Sequence, residues 1–531
     1  MRNTKLLLAV LVVGLVQVLL SASVCGQSKK KNLLFIMTDQ QQYKALSYAG
    51  NDVLKTPNLD RLAKSGAFFK NAYTPSAVCA PARSSILTGH TVENTGMCNN
   101  EKAYFHQEEG LMKMPTFDEI LTQYGYHCEY YGKWHTQSKH ATVYQNPKSQ
   151  SKNGKSIFEH GGQNHVYIDY INKNYPLVPL DSGQQIDKFT QRAYVPDPLD
   201  RLYGLNAEEV TKIKKGLSQP NFHGELKVPA QHSFTAFQAK ETMDAIERLK
   251  DSTFSITCSF HFPHAPMIPP YPYYDMYPAD EMNPPASIDD DMSNSPYRSA
   301  NGRLGLPEYS DPEKIKYMIS NYYGLIAEID HWVGEIISTL DENGLAENTL
   351  IIFTSDHGEM LGAHGLREKN VFYEESSHIP LLISLPGEIE EQTQVDGYVS
   401  LIDLFPTILD YLDLPQHPSD GRTLRNLIDG LDTEHGKYVV TEWDYRGDVE
   451  PNYMIIMDGW KLMIPYSEES EVLNAMYNLH QDPHETNNLL GNNPDRHQYR
   501  DKAEELRAQL LEWLEERGSE HYSGVKSRKL I

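Results

Sequence analysis

Cysteine, basic charge and long apolar runs are all scarce in this sequence, and each shortage excludes something. Only five of the 531 residues are cysteines. Cys25 falls in an N-terminal leader and Cys79 in a stretch that reads as chemical, so three remain for structure. Three make no disulfide framework, even in an oxidising compartment. Cys128 and Cys258 lie within apolar, strand-like runs and read as buried thiols. Lys and Arg number 48 against 72 Asp and Glu, a formal charge of −24. Nucleic-acid binding needs a basic footprint, so that class is excluded. The same acidity means that any anionic substrate must be held by a locally positive pocket. The one extended apolar run, Leu6 to Leu20, is shorter than the roughly 20 residues of a membrane span. Stable membrane insertion is therefore not expected.

Arg2 and Lys5 before that run, and Ser21 to Gly26 after it, give residues 1–26 the layout of a secretory signal peptide. Cleavage is expected after Gly26, and losing Arg2 and Lys5 would take the charge from −24 to −26. A lipoprotein signal ending at Cys25 is disfavoured by the bulk of Val24. The expected location is outside the cytoplasm, periplasmic or secreted. A hydrophobic fraction of 40% and a charged fraction of 23% suit a soluble globular protein, and the length suits one large domain with a smaller one.

Lys31 to Thr38 is a short apolar run without alternation, as in a strand buried on both faces. Tyr126–Tyr131, Phe254–Phe260 and Asn348–Thr354 read the same way. Thr56-Pro57 opens a helix that Gly66 closes, and Thr116 with Glu119 forms a capping box for another ending near Gly125. A long amphipathic helix covers about Pro312 to Leu340, with Ile315, Ile319, Tyr322 and Ile326 on one face. Helices alternating with buried strands predict an α/β fold, a large and mostly parallel sheet sandwiched by helices. Residues 27–436 are assigned to this catalytic domain. A smaller α+β subdomain with an antiparallel sheet is expected over 437–531. It would hold the strand Tyr438–Trp443, a hairpin Tyr453–Ile464 turning at Asp458-Gly459, and a helix over about Asp501–Arg517. Two long stretches, 136–231 and 263–312, break the rhythm, and their tyrosines favour lids with sugar-stacking surfaces. The sequence carries no internal repeat and no signal for oligomeric state.

Open α/β sheets bind ligands beyond the carboxyl ends of their strands. All four predicted strands end there in ionisable groups: Asp39-Gln40, Gly132-Lys133-Trp134-His135, His261-Phe262-Pro263-His264 and Asp356-His357-Gly358. One such ending is ordinary, whereas four are hard to explain as solvated loops. Asp39, Gln40, Asp356 and His357 offer oxygen and nitrogen ligands. Carboxylate and amide oxygens suit a hard cation such as Ca2+, while imidazole better suits a transition metal. Taken singly, Asp39 or Asp356 could equally cap the next helix. Lys133, His135, His264 and Lys369 supply positive charge and proton transfer. Cys79-Ala-Pro-Ala-Arg83 opens a short predicted helix, with Pro81 in its first turn and Gly89 as its stop. Cys79 then faces the positive end of the helix dipole, with Arg83 one turn in. Asn99 and Asn100, just beyond, could reach a sugar hydroxyl or simply serve their loop.

The stretch from Cys79 to Gly89 resembles the signature of the sulfatase family, C-x-[PSA]-x-R followed by L-T-G. Other segments resemble that family in the expected order. They are the strand ending at Asp39-Gln40, Gly132-Lys133-Trp134-His135, Pro263-His264-Ala265-Pro266, Thr354-Ser355-Asp356-His357-Gly358, and Lys369 at the position of the family's final lysine. Asp403-Leu404-Phe405-Pro406-Thr407 and Tyr477 to Pro483 extend the similarity towards the C-terminus. The resemblance implies an alkaline-phosphatase-like fold. It also implies Ca2+, with Mg2+ as the alternative, bound by Asp39, Gln40, Asp356, His357 and residue 79. A separate formylglycine-generating enzyme would oxidise Cys79 to formylglycine, whose hydrate attacks the sulfur of a sulfate ester.

Arg83, Lys133 and Lys369 are then expected to hold the sulfate oxygens, with Asn100 and His264 also touching substrate. His264, together with Lys369, would protonate the leaving alcohol, and His135 would take the second hydroxyl proton so that sulfate is eliminated. Two residues depart from the family pattern. Ala82 stands where serine is frequent, and Gln40 replaces a frequent second aspartate, keeping an oxygen but removing a charge. Export and Tyr-rich loops point to a sulfated carbohydrate as substrate. A phosphonate monoester or phosphodiester hydrolase of the same superfamily is the nearest rival reading. A non-catalytic sulfated-glycan-binding protein is a third, separated from the others by whether a Cys79→Ala variant still binds glycan beside an inactive wild type.

Overall fold

The computed structural model describes residues 30–100, 102, 112–144, 167, 170, 223–226, 228–298, 304–307, 309–432, 434–443 and 450–531. The expected signal peptide and most of the 136–231 stretch lie outside the described residues. Runs of Leu, Ile and Phe without alternation build the centre of the fold. Strand β1 (Asn32–Asp39) is buried along its whole length. Its Leu34 and Ile36 face one apolar layer, and Leu33, Phe35 and Met37 face the other. Such burial requires a sheet covered on both sides.

Six further strands complete that sheet: β2 (Ala67–Tyr73), β3 (His127–Gly132), β4 (Phe254–Pro263), β5 (Thr349–Ser355), β6 (Leu381–Ser384) and β7 (Thr393–Ser400). Their order is β3-β4-β1-β5-β6-β2-β7. β1 pairs in parallel with β4 and β5, β3 with β4, and β2 with β7. Only β6 runs against its neighbours, β5 and β2. The sheet is therefore mostly parallel, as its buried apolar strands imply. Helices α1 (Pro57–Lys64), α2 (Cys79–Thr88), α3 (Phe117–Gln123), α4 (Phe234–Leu249), α5 (Pro312–Glu342) and α6 (Leu404–Tyr411) cover it. Leu59 of α1, Phe237 of α4 and Ile326 of α5 share one layer. Ile86 of α2, Phe117 of α3 and Phe405 of α6 share the other. Asp311 caps α5 by accepting from the N–H groups of Glu313 and Lys314, and Pro312 takes the first position.

A second, antiparallel sheet has the order β11-β10-β9-β8. It is built from β8 (Tyr438–Glu442), β9 (Tyr453–Met457), β10 (Trp460–Ile464) and β11 (Ala475–Asn478). The β9–β10 turn is at Asp458-Gly459, with φ of 51° and 72°, the positive values that a two-residue hairpin turn demands. Helix α7 (Arg500–Glu516) covers one face through Leu506, Leu510 and Leu514. The other face packs Met454, Ile456 and Met463 against Val371, Phe372 and Tyr373. The described part of 263–312 is packed in rather than standing free as a lid. Met267, Ile268, Tyr277 and Tyr297 are buried there, because apolar side chains in a Pro-rich segment still seek the core. Among the described residues no helix is long and apolar enough to cross a membrane.

Candidate active site

Thr38 of β1 stands opposite Ser355 of β5, so the two strands deliver Asp39 and Asp356 side by side at their carboxyl ends. On the other side of β1, the pairing with β4 jumps from Met37–Ser259 to Asp39–Pro263. That bulge bends β4 and brings His264 to the same place. Gly132 ends β3 with φ +107°, and a Cβ there would lie 1.8 Å from the Ser259 carbonyl oxygen. Only glycine lets β3 approach β4 this closely and aim Lys133 inwards. Val78 is extended and α2 begins at Cys79, which places the thiol at the helix mouth.

The four groups Asp39, Cys79, Asp356 and His357 converge, each with one ligand atom within 4.8 Å of all the others. Cys79 Sγ lies 3.0 Å from His357 Nε2. The other ring nitrogen, Nδ1, is 2.9 Å from the Gly358 carbonyl oxygen and must donate to it. Nε2 is thereby left with its lone pair facing the cluster. Asp356 Oδ1 accepts from the N–H groups of Gln40 (3.1 Å) and His357 (2.9 Å). Asp39 Oδ2 pairs with Lys133 and, at 3.2 Å, with Arg83, whereas its buried Oδ1 has no hydrogen-bond partner. A buried, unpartnered carboxylate oxygen beside an imidazole lone pair is what a bound cation satisfies. The residues present therefore fit a divalent metal ion.

Arg83 is fully buried and turned into the protein. Its Nε donates to Asp356 (2.8 Å), Nη1 to the Lys133 carbonyl (2.7 Å) and Ser259 Oγ (2.8 Å), and Nη2 to Asp39. Lys369 Nζ lies 2.6 Å from Gln40 Oε1 and 2.9 Å from His264 Nε2. His264 Nδ1 faces the Ala265 carbonyl oxygen at 2.7 Å, so its proton sits there and Nε2 accepts from the ammonium. His135 is buried, with φ of 53°. Gln40 (76°) and Glu368 (62°) share that left-handed conformation, and such backbone clusters at functional sites.

Electrostatics separates the cysteines. Burial pushes the Cys258 thiol up to about 12 and raises that of Cys128 as well. Burial and the Asp39 carboxylate also raise Cys79, but the charges of Lys133 and Lys369 count chiefly against them and bring it to about 7. Burial opposes the charged form of Asp39, yet Lys133 and Arg83 hold it well below the usual carboxylate range. Burial, with Lys369 and Lys133 nearby, drives His264 far below the usual histidine value, so its ring is neutral. A cluster of cations, an ion pair with a spare oxygen and an acidic thiol suit nucleophilic attack on a bound oxyanion ester.

Comparison with known proteins assigns this arrangement. The profile of the family described as Sulfatase matches residues 31–414, well over half of the chain. The chain belongs to the sulfatase family. A second profile, N-sulphoglucosamine sulphohydrolase, C-terminal, matches residues 362–516. An arylsulfatase of Clostridium perfringens is 28% identical over 512 residues, covering 94% of this chain and 98% of its own length. An N-acetylglucosamine-6-O-sulfatase of Bacteroides thetaiotaomicron is 26% identical, covering 92% of this chain and 86% of its own. The solved structure of a phosphonate monoester hydrolase from Silicibacter pomeroyi superposes with a TM-score of 0.71 at 23% identity, over 92% of this chain and 96% of that one. At that identity the likeness is one of fold.

The sulfatase thus brings together Asp39, Gln40, Cys79, Arg83, Lys133, Asp356, His357, His264 and Lys369. Asn100 lies at the same helix mouth, its side-chain oxygen accepting from Ala80 N, next to Cys79, at 3.0 Å and so capping α2. His261, at the same strand end as His264, turns away, with Nδ1 2.8 Å from Gln238 Nε2. Two residues escaped the reading of the sequence. Ser259 Oγ both accepts from Arg83 and donates to the Lys133 carbonyl, and a serine inside an apolar strand carries no local signal of that. Glu359 is buried against Gln40. Its position just after Asp356-His357-Gly358 was a signal, but a loop glutamate ordinarily reads as solvated.

Proposed function

We propose that this sulfatase cleaves sulfate esters of a carbohydrate, with formylglycine derived from Cys79 as nucleophile. Ca2+, or Mg2+ in its place, would be held by Asp39, Gln40, Asp356, His357 and residue 79. The convergence of Asp39, Cys79, Asp356 and His357 within 4.8 Å, ringed by Lys133 and Lys369, carries this reading. When bound, the cation neutralises charge and polarises the ester as a Lewis acid. Oxidation of Cys79 by a separate formylglycine-generating enzyme would supply a hydrated aldehyde, which a thiol cannot replace because it has no second hydroxyl.

Lys133 and Lys369 are buried but, unlike Arg83, keep a little exposure (7% and 4%), and they hold the anionic ester. Arg83 has every nitrogen engaged by protein groups, which supports a different role from the sulfate contact expected of it. It holds Asp39 and Asp356 in register beneath the site. The proton for the leaving alcohol sits on Lys369, and neutral His264 is placed to relay it. His135 is assigned the proton of the second hydroxyl. The name of the N-acetylglucosamine-6-O-sulfatase relative and the signal-like N-terminus support an exported enzyme acting on a sulfated sugar.

Mass spectrometry of the peptide carrying residue 79, from protein made in its native host, tests the nucleophile. Formylglycine there is expected, and an unmodified thiol alone would sink the mechanism. A panel of aryl sulfate, phosphodiester and phosphonate substrates tests the ester. Preferential turnover of phosphodiesters or phosphonates would replace the sulfate reading with its nearest rival.

A further inference from the structure

Glu359 has no part in the steps above, yet it is 1% exposed and lies against the cation site. One of its carboxylate oxygens accepts from Gln40 Nε2. The other accepts from the backbone N–H of Leu361 at 3.1 Å and from that of Glu368. On the far side of the same amide, Gln40 Oε1 accepts from Lys369 Nζ at 2.6 Å. A glutamine amide has two orientations that differ only in which end is which, and one of them would point N–H donors at a cation. A carboxylate can only accept, so Glu359 draws the NH2 end of Gln40 to itself and leaves the oxygen on the side of Lys369. Its bond from Glu368 N fixes the backbone one residue before Lys369, and Met360 N donates to the Glu368 carbonyl at 2.6 Å to close the clamp.

We propose that Glu359 is the positioning residue of this centre. It orients the Gln40 amide as an oxygen ligand, seats Lys369, and returns from one layer further out the negative charge that glutamine at position 40 omits. With Asp39 and Asp356 it balances Arg83, Lys133 and Lys369 charge for charge. The inference rests on the cation reading of the site.

Calorimetric titration of chelator-stripped full-length protein with Ca2+, alongside aryl sulfate turnover, tests it. Glu359→Gln should bind Ca2+ at least about 10-fold more weakly, the scale of losses when a group orienting a metal ligand is removed. Its kcat/KM should recover as Ca2+ is raised. The exchanged pair, Gln40→Asp with Glu359→Gln, needs no amide orientation and puts the charge directly on the cation. It should regain the affinity that the single variant loses. Wild-type affinity in Glu359→Gln, or an exchanged pair that binds no better than the single variant, overturns the proposal. If Glu359→Gln does not fold, the exchanged pair decides alone: restored folding and binding support the role, and failure of either overturns it. A wild-type chain that takes up neither Ca2+ nor Mg2+ overturns the cation reading instead.

Discussion

Replacing Lys461 with methionine removes a charge that ties the second sheet to the catalytic one. Lys461 lies on β10 with its side chain fully buried. Nζ is 2.7 Å from Glu374 Oε1 and 2.8 Å from Glu485 Oε1, and donates to the Phe372 carbonyl at 2.9 Å. Glu374 also accepts from the Tyr73 hydroxyl at 3.0 Å and meets His378 Nδ1 at 3.0 Å. Burial raises both acids, but Lys461 and His378 hold Glu374 far below the usual range. Glu485 is left at about 7, with Glu374 adding to its burial.

Methionine keeps the length and apolar stem, so the perturbation is confined to the ammonium. Two carboxylates would then face each other with only His378 left beside Glu374, and breaking comparable buried clusters costs about 3–5 kcal/mol. Urea unfolding followed by tryptophan fluorescence should show the loss as a lower midpoint at neutral pH. The loss should shrink as acid protonates the pair. The triple variant Lys461→Met, Glu374→Gln, Glu485→Gln strands no charge and should recover most of the difference. A Lys461→Met protein within about 1 kcal/mol of wild type would refute the reasoning, because a stranded buried charge cannot be that cheap.

Glu328 on α5 is buried, accepts from the Ser233 hydroxyl, and is raised by burial from 4.5 to about 8. A raised carboxyl contributes stability that is complete below pH 4.5 and lost as pH climbs to about 8, at about 1.4 kcal/mol per unit. Glu328→Gln should therefore gain on wild type between pH 5 and pH 9, and a constant gap in melting temperature would refute it. Gly132→Ala puts a Cβ 1.8 Å from the Ser259 carbonyl oxygen. It should cost more than about 2 kcal/mol and depress turnover through Lys133 and Arg83; an unchanged melting temperature would deny the contact. Stripping the cation should lower the melting temperature, and Ca2+ at about 100 times its Kd should restore about 2.7 kcal/mol. No response to Ca2+ or Mg2+ would count against the site.

Strands β1, β3, β4 and β5 were legible because a strand buried on both faces must be apolar throughout. β2, β6 and β7 were not. β2 is interrupted by Lys70-Asn71, β6 is four residues long, and β7 exposes Gln394 and Asp396. Each of these strands depends on neighbours for its place, so its own composition is ambiguous. The same division runs through the site. Asp39, Lys133, Asp356 and His357 follow directly on apolar runs and stand out. Ser259 and Glu359 matter only through partners at distant positions, and nothing local marks them.

The sequence by itself determined which chemical groups the sheet would carry to its open end, since apolar runs and the residues that stop them are local properties. Tertiary structure decided what each group does there. Arg83 and Asp356 are 273 residues apart in the chain but 2.8 Å apart in space, and that contact turns the arginine inwards. Three thiols share similar burial, yet only Cys79 meets two lysines, so only it becomes acidic. Charge and hydrogen bonding act through space, and distance along the chain does not report them.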